Sequence, residues 1–212
     1  MANMPGFEEA VELAHQHKIT DKIGVHLVLT EGKPLTSAVE RFPYLFNAEK
    51  LPRKLFAKKL SYLDSDQKKI IFEEYSAQIN KARKNGIPIT HIDTHQHMHE
   101  MWGILQVMIA LLKEHKIPSM RILNNLERSA LHKNKYRDVI NYYLKRKRVN
   151  YSDYFGSQLD LPAHQKKETQ NGTGIIEIMV HPDFNAKGEI IDRLMGREHS
   201  FDYPGSLMNN KA

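Results

Sequence analysis

Cysteine is absent from all 212 residues. Its absence excludes a disulfide framework, a thiolate nucleophile, a zinc–thiolate site and a thiolate-held cluster, and makes the cytoplasm the default compartment. Long apolar runs are missing too. No stretch approaches the roughly 18 consecutive apolar residues of a membrane span, and the opening MANMPGFEEAVELA lacks the basic start and apolar stretch of a signal peptide. A soluble protein with no membrane partner is the expectation. Neither GxGxxG nor GxxxxGK[ST] occurs, so dedicated dinucleotide and P-loop phosphate sites are not expected, and without GxSxG there is no serine-hydrolase elbow. With 41% of residues apolar, 11 glycines and 9 prolines, the chain reads as neither disordered nor fibrous. Its length suits one domain, 1–212, with an irregular excursion over 38–60.

Positive charge exceeds negative by six, 31 basic residues against 25 acidic. The excess is local: Lys133, Lys135, Arg137, Lys145, Arg146, Lys147 and Arg148 fall close together, opposed by Asp138 alone. A solvated helix end is the common source of such a run, and phosphate or nucleic-acid binding is the less expected one.

The apolar spacing predicts a helix from Phe7, then a strand over Ile23–Thr30 and a polar loop through Gly32 and Pro34. A helix capped by Asp66 runs to Asn85, where Gly86 ends it. Pro88 to His99 reads as a strand with its exit loop, Trp102 to Leu112 as a helix, Ser119 to Leu123 as a strand and Lys133 to Lys147 as a helix. Gly174 to Val180 is a strand closed by His181 and Pro182, with a short helix near Glu189 to Met195. Strands separated by helices of 12 or more residues predict parallel β/α units, whose chemistry gathers at the strands' C-terminal ends.

Chemistry-bearing side chains concentrate at those ends. His91, Asp93, His95, His97 and His99 occupy alternate positions, so an extended segment turns all five to one side. Two imidazoles one residue apart can close on one ion, with a carboxylate as ligand or orienting partner, and five polar groups make a poor apolar core, so the segment is a metal or acid–base site, or else a surface strand or loop whose histidines hydrogen-bond one another. His26, between Val25 and Leu27, is either a satisfied core histidine or a second strand's contribution to that cluster. A nitrogen and oxygen site suits zinc, nickel, cobalt, manganese or magnesium, and composition does not choose among them. His181 is a general acid or base, or a plain loop histidine. Asp153 supports a site or caps a turn, and Glu177 is a buried partner or faces a helix.

The residues GVHLVLTEGKPL at 24–35, HIDTHQHMH at 91–99, SDYFG at 152–156 and EIMVHPDF at 177–184, with the opening MANMPGFEEAVELA and the region of Arg121, resemble the YdjC-like carbohydrate deacetylases over nearly the whole chain. The resemblance implies a deformed, incomplete α/β barrel of mostly parallel strands. It implies a divalent ion, magnesium or zinc, and hydrolysis of the N-acetyl group of a sugar such as a chitooligosaccharide. By the same resemblance His26 and His95, with His97 as the second choice, are metal ligands and His181 is the proton-transfer residue; Asp93, His99, Asp153 and Glu177 stand as supporting or substrate-binding residues. The family pattern opens with a strand ending in Asn-Ala-Asp-Asp-Phe-Gly, which supplies a metal-binding aspartate and a neighbouring base. This sequence starts at MANMPGF, so weak or lost activity and a homo-oligomer, a dimer first, are the expectations that follow. The alternatives are a non-catalytic carbohydrate-binding or structural protein and a basic phosphate or nucleic-acid binder.

Overall fold

The structure is a computed structural model, and it describes residues 1–38, 60–126, 131–149, 152–157, 160 and 174–193. The excursion read over 38–60 lies, apart from its two ends, outside the described residues. Two units divide the chain. One comprises 1–123 and 139–151, the other 124–138 and 152–212.

In the first unit, α1 (Phe7–Gln16) buries Phe7 and Ala14 and turns Glu8 and Glu9 outward in its first turn, where acidic side chains suit the helix dipole. Strand β1 (Val25–Leu27) follows. Helix α2 (Ser65–Lys84) begins at Asp64, not at Asp66 as the sequence suggests. Asp64 accepts from the Gln67 N–H while the Gln67 side chain accepts from the Asp64 N–H, a reciprocal cap that needs the glutamine three residues on. Asp66 has no such partner at its own third position. The helix closes with Lys81, Arg83 and Lys84 in its last turn and Gly86 at φ +81°, the left-handed region that glycine enters without a Cβ penalty.

Strand β2 (His91–Thr94), a 3-10 segment (His95–Glu100), α3 (Trp102–Glu114) and β3 (Ser119–Met120) complete the ordering of this region. The three strands form a parallel sheet in the order β1-β2-β3, with His26 opposite Asp93 and Ile92 opposite Met120. Helices α2 and α3 pack together, and α2 also packs on β1. Ile71, Tyr75 and Ile79 of α2, Ile104, Leu105, Met108 and Leu111 of α3 and Leu27 and Ile92 of the strands are all fully buried. Each aliphatic side chain so buried contributes about 2 kcal/mol. Gly24 permits the sheet's close approach: a Cβ there would lie 2.5 Å from His91 ring atoms and from its carbonyl oxygen. In helix α4 (Leu131–Arg146), the segment from Val139 onward belongs to this unit and buries Ile140 and Leu144.

In the second unit, β4 (Tyr154–Ser157) and β5 (Ile176–Met179) pair in parallel, with Phe155 opposite Glu177. Strands β6 (Pro182–Phe184) and β7 (Ile190–Asp192) form an antiparallel hairpin. The short helix expected from Glu189 is therefore a strand in its described part. Asn185 explains the difference: its side-chain oxygen accepts from the Lys187 and Glu189 N–H groups, and Gly188 at φ +77° turns the chain back. The mixed α/β character and parallel pairing agree with an incomplete α/β barrel, and no closed barrel is seen among the described strands. No helix among the described residues is long and apolar enough to cross a membrane.

Candidate functional site

Because His26 and Asp93 are register partners on adjacent parallel strands, their side chains leave the sheet on the same face. His26 Nδ1 lies 2.7 Å from Asp93 Oδ2. The same carboxylate oxygen pairs with Arg121 Nη1, one residue past β3. Asp93, on β2, thus links β1 to the residue that follows β3. Burial works against its charge, but the His26 hydrogen bond and then the Arg121 charge outweigh that and hold the carboxyl down at about 2. The carboxylate stays ionised at any physiological pH.

His95 follows at the end of β2. Its ring stands edge-on to that of His26, centroids 5.5 Å apart, and its Nε2 lies 2.9 Å from Glu31 Oε1. Beyond His95 the chain departs from the extended course that the alternating histidines suggest. Gln96 and His97 have φ of +55° and +53°, two successive left-handed residues that reverse the backbone. Each costs about 1–2 kcal/mol for a residue with a Cβ. Thr94 offsets part of that: its Oγ1 accepts the His99 backbone N–H at 2.8 Å and hydrogen-bonds His99 Nδ1 at 2.7 Å. The five groups therefore do not share one face. His97 lies edge-on to His99, centroids 6.0 Å apart. His99 is fully buried, and burial, with the His97 and Arg121 charges beyond it, pushes its imidazole down to about 3 against the opposing pull of Asp93. It is neutral, and its role is to tie the reversed turn to the strand.

The remaining sequence candidates belong to the second unit. Asp153 pins the entry to the β4–β5 pair, its carboxylate accepting from the Ile175 N–H at 2.9 Å while its own N–H donates to the Ile175 carbonyl. Ser152 Oγ donates to Glu177 Oε2 at 3.4 Å. His181, exposed between β5 and β6, is held through its backbone, donating to Asp192 Oδ1 and accepting from the Arg193 N–H.

Among the described residues, no group of three or more histidine, aspartate or glutamate side chains is arranged to hold an ion. Two donors are nonetheless in place. His26 presents the arrangement typical of metal-binding imidazoles, one ring nitrogen on a carboxylate and the other left over, beside the second imidazole of His95. The donor chemistry fits a mixed nitrogen and oxygen site whose other positions are filled by water or by further oxygen ligands. Sequence reasoning singled out neither Glu31 nor the Asp93–Arg121 pair. The register of parallel strands would have pointed to the second, whereas Glu31 comes from a loop with no periodicity to read.

The YdjC-like protein family matches residues 1–206, and the chain belongs to it. A carbohydrate deacetylase of Brevibacillus brevis is 37% identical over 118 residues, which are 56% of this chain and 44% of that protein. A carbohydrate deacetylase of Halalkalibacterium halodurans is 28% identical over 210 residues, covering 98% of this chain and 78% of its own length. The match thus spans less than half of the Brevibacillus relative. A crystal structure from Enterococcus faecalis V583, of a protein provisionally named for cellobiose-phosphate cleavage, superposes with a TM-score of 0.61 at 25% identity, over 88% of this chain and 70% of that one.

Proposed function

We propose that the chain acts in divalent-ion-assisted hydrolysis of the N-acetyl group of an amino sugar or oligosaccharide. The observation that carries this reading is the pair of imidazoles 5.5 Å apart at the ends of adjacent parallel strands, one of them seated on a buried carboxylate. The relatives named carbohydrate deacetylase point to the same chemistry. His26 and His95 would hold the ion, magnesium or zinc. When bound, it supplies Lewis-acid polarisation of the amide carbonyl and a water of lowered pKa. Asp93 fixes the His26 ring and its tautomer, and Arg121 keeps Asp93 anionic in its buried position. His99 and Thr94 hold the turn that follows His95. His181 is the proposed donor of a proton to the departing amine, a role worth about 10²- to 10⁴-fold in rate.

Acetate release from N-acetylated chitooligosaccharides, measured with added Mg²⁺ or Zn²⁺, tests the reading. Turnover that falls to background in His26→Ala and His95→Ala, and by about a hundredfold or more in His181→Ala, is expected. Turnover unchanged in His26→Ala overturns it. Saturable oligosaccharide binding with no acetate release also overturns it, in favour of a non-catalytic carbohydrate-binding protein.

A further inference from the structure

Glu31 sits on the loop after β1, and its carboxylate meets His95 Nε2 at 2.9 Å. An exposed ion pair on a free loop would be worth little, but this loop is clamped from three sides. Asn3 Nδ2 donates to the Glu31 carbonyl at 2.8 Å. Gly32, at φ +71°, lies so close to the N-terminal segment that a Cβ would stand 2.6 Å from Met4 Sδ and 2.9 Å from Asn3 Nδ2. From beneath, the fully buried Glu74 of α2 accepts from the Leu35 N–H, the Thr36 N–H, the Thr36 hydroxyl and Gln78 Nε2. Gln78 in turn donates to the Val28 carbonyl and accepts from the Val28 N–H, continuing the pairing of β1 where the strand itself stops.

A buried carboxylate is costly unless several donors answer its charge. Glu74 has four hydrogen-bond donors, and three of them belong to the loop that carries Glu31. An apolar side chain would fill the same space without that cost, so holding the loop in one place is what the charge achieves.

We propose that Glu31 belongs to the ion site, holding His95 through Nε2 as Asp93 holds His26 through Nδ1, and that Glu74 is the positioning residue that sets Glu31 there. The proposal rests on the divalent-ion reading above. Both imidazoles then have a carboxylate on one nitrogen and offer the other to the ion, Nε2 of His26 and Nδ1 of His95. Carboxylate partners of this kind are worth about ten- to a hundredfold in metal affinity.

Titration of the full chain with Co²⁺, followed by visible absorption and calorimetry, tests this without substrate. Glu31→Gln is expected to weaken Co²⁺ binding about ten- to a hundredfold, with its thermal midpoint in chelator unchanged. Glu74→Gln is expected to weaken binding in the parent chain and to add nothing further in the Glu31→Gln background, a non-additivity that a purely structural role would not produce. Should Glu74→Gln fail to fold, Thr36→Val removes one donor to the same carboxylate and takes its place. Affinity within about twofold of the parent in Glu31→Gln, with binding lost in His26→Ala, overturns the proposal and leaves the ion reading standing. Co²⁺ binding unchanged in His26→Ala overturns the ion reading itself. Additive effects of the two glutamates remove Glu74 from the account.

Discussion

Asp93 receives two partners on one buried oxygen, the His26 imidazole from β1 and the Arg121 guanidinium from the residue after β3. Removing the carboxylate takes one shared partner from both His26 and Arg121 at once. Asp93→Ala is therefore expected to lower unfolding free energy by about 3 kcal/mol, the cost of breaking a buried charge pair. Urea unfolding checks this, and a loss under about 1 kcal/mol contradicts the bridge. Strand alternation in the sequence was enough to put Asp93 on the side of the sheet where chemistry gathers. It failed three residues later. Gln96 and His97 take left-handed φ without being glycine, so nothing in their identity announces the turn, and the buried Thr94–His99 pair that offsets it lies across five residues.

Among the elements, the packing of α2 on α3 includes a polar brace that periodicity cannot reveal. Arg83 donates to the His115 carbonyl at the end of α3, and His115 Nε2 meets Ser76 Oγ at 2.9 Å. Arginine only donates, so its approach to His115 Nδ1 makes that nitrogen an acceptor and the ring neutral. Burial and then the Arg83 charge lower the pKa of His115, with Glu114 opposing. A histidine depressed on folding takes up its proton more readily when unfolded, so its contribution is complete above about pH 6.5 and is lost as pH falls through the folded value. The stability difference between the parent and His115→Gln is expected to shrink between pH 7.5 and pH 5, as followed by thermal unfolding. A constant difference contradicts the brace. At the β1–β2 contact, Gly24→Ala forces a Cβ to within 2.5 Å of His91. Overpacking of this kind costs about 2 kcal/mol, and chemical denaturation of that variant checks it. Helices and strands were legible here from apolar spacing, and their ends less so. The cap moved to Asp64 because a capping box depends on residue pairs, and the hairpin at Asn185 replaced a helix because one side chain satisfied two backbone donors.

Over the whole molecule, the parallel β/α arrangement and its family were readable from motifs spread between Gly24 and Phe184, and the family match over 1–206 bears that out. What those motifs could not convey is which side chains hold them in place. Glu31, Glu74 and Gln78 are brought to β1 and His95 by tertiary packing across as many as 64 positions of sequence. The central claim is that two imidazoles from adjacent strands, His26 and His95, hold one divalent ion. Anomalous diffraction from crystals soaked in Mn²⁺ or Zn²⁺ tests it most directly. The account predicts a single strong peak bonded to both rings, with Asp93 still seated on His26. A peak elsewhere, with His26 and His95 both bare, would contradict it.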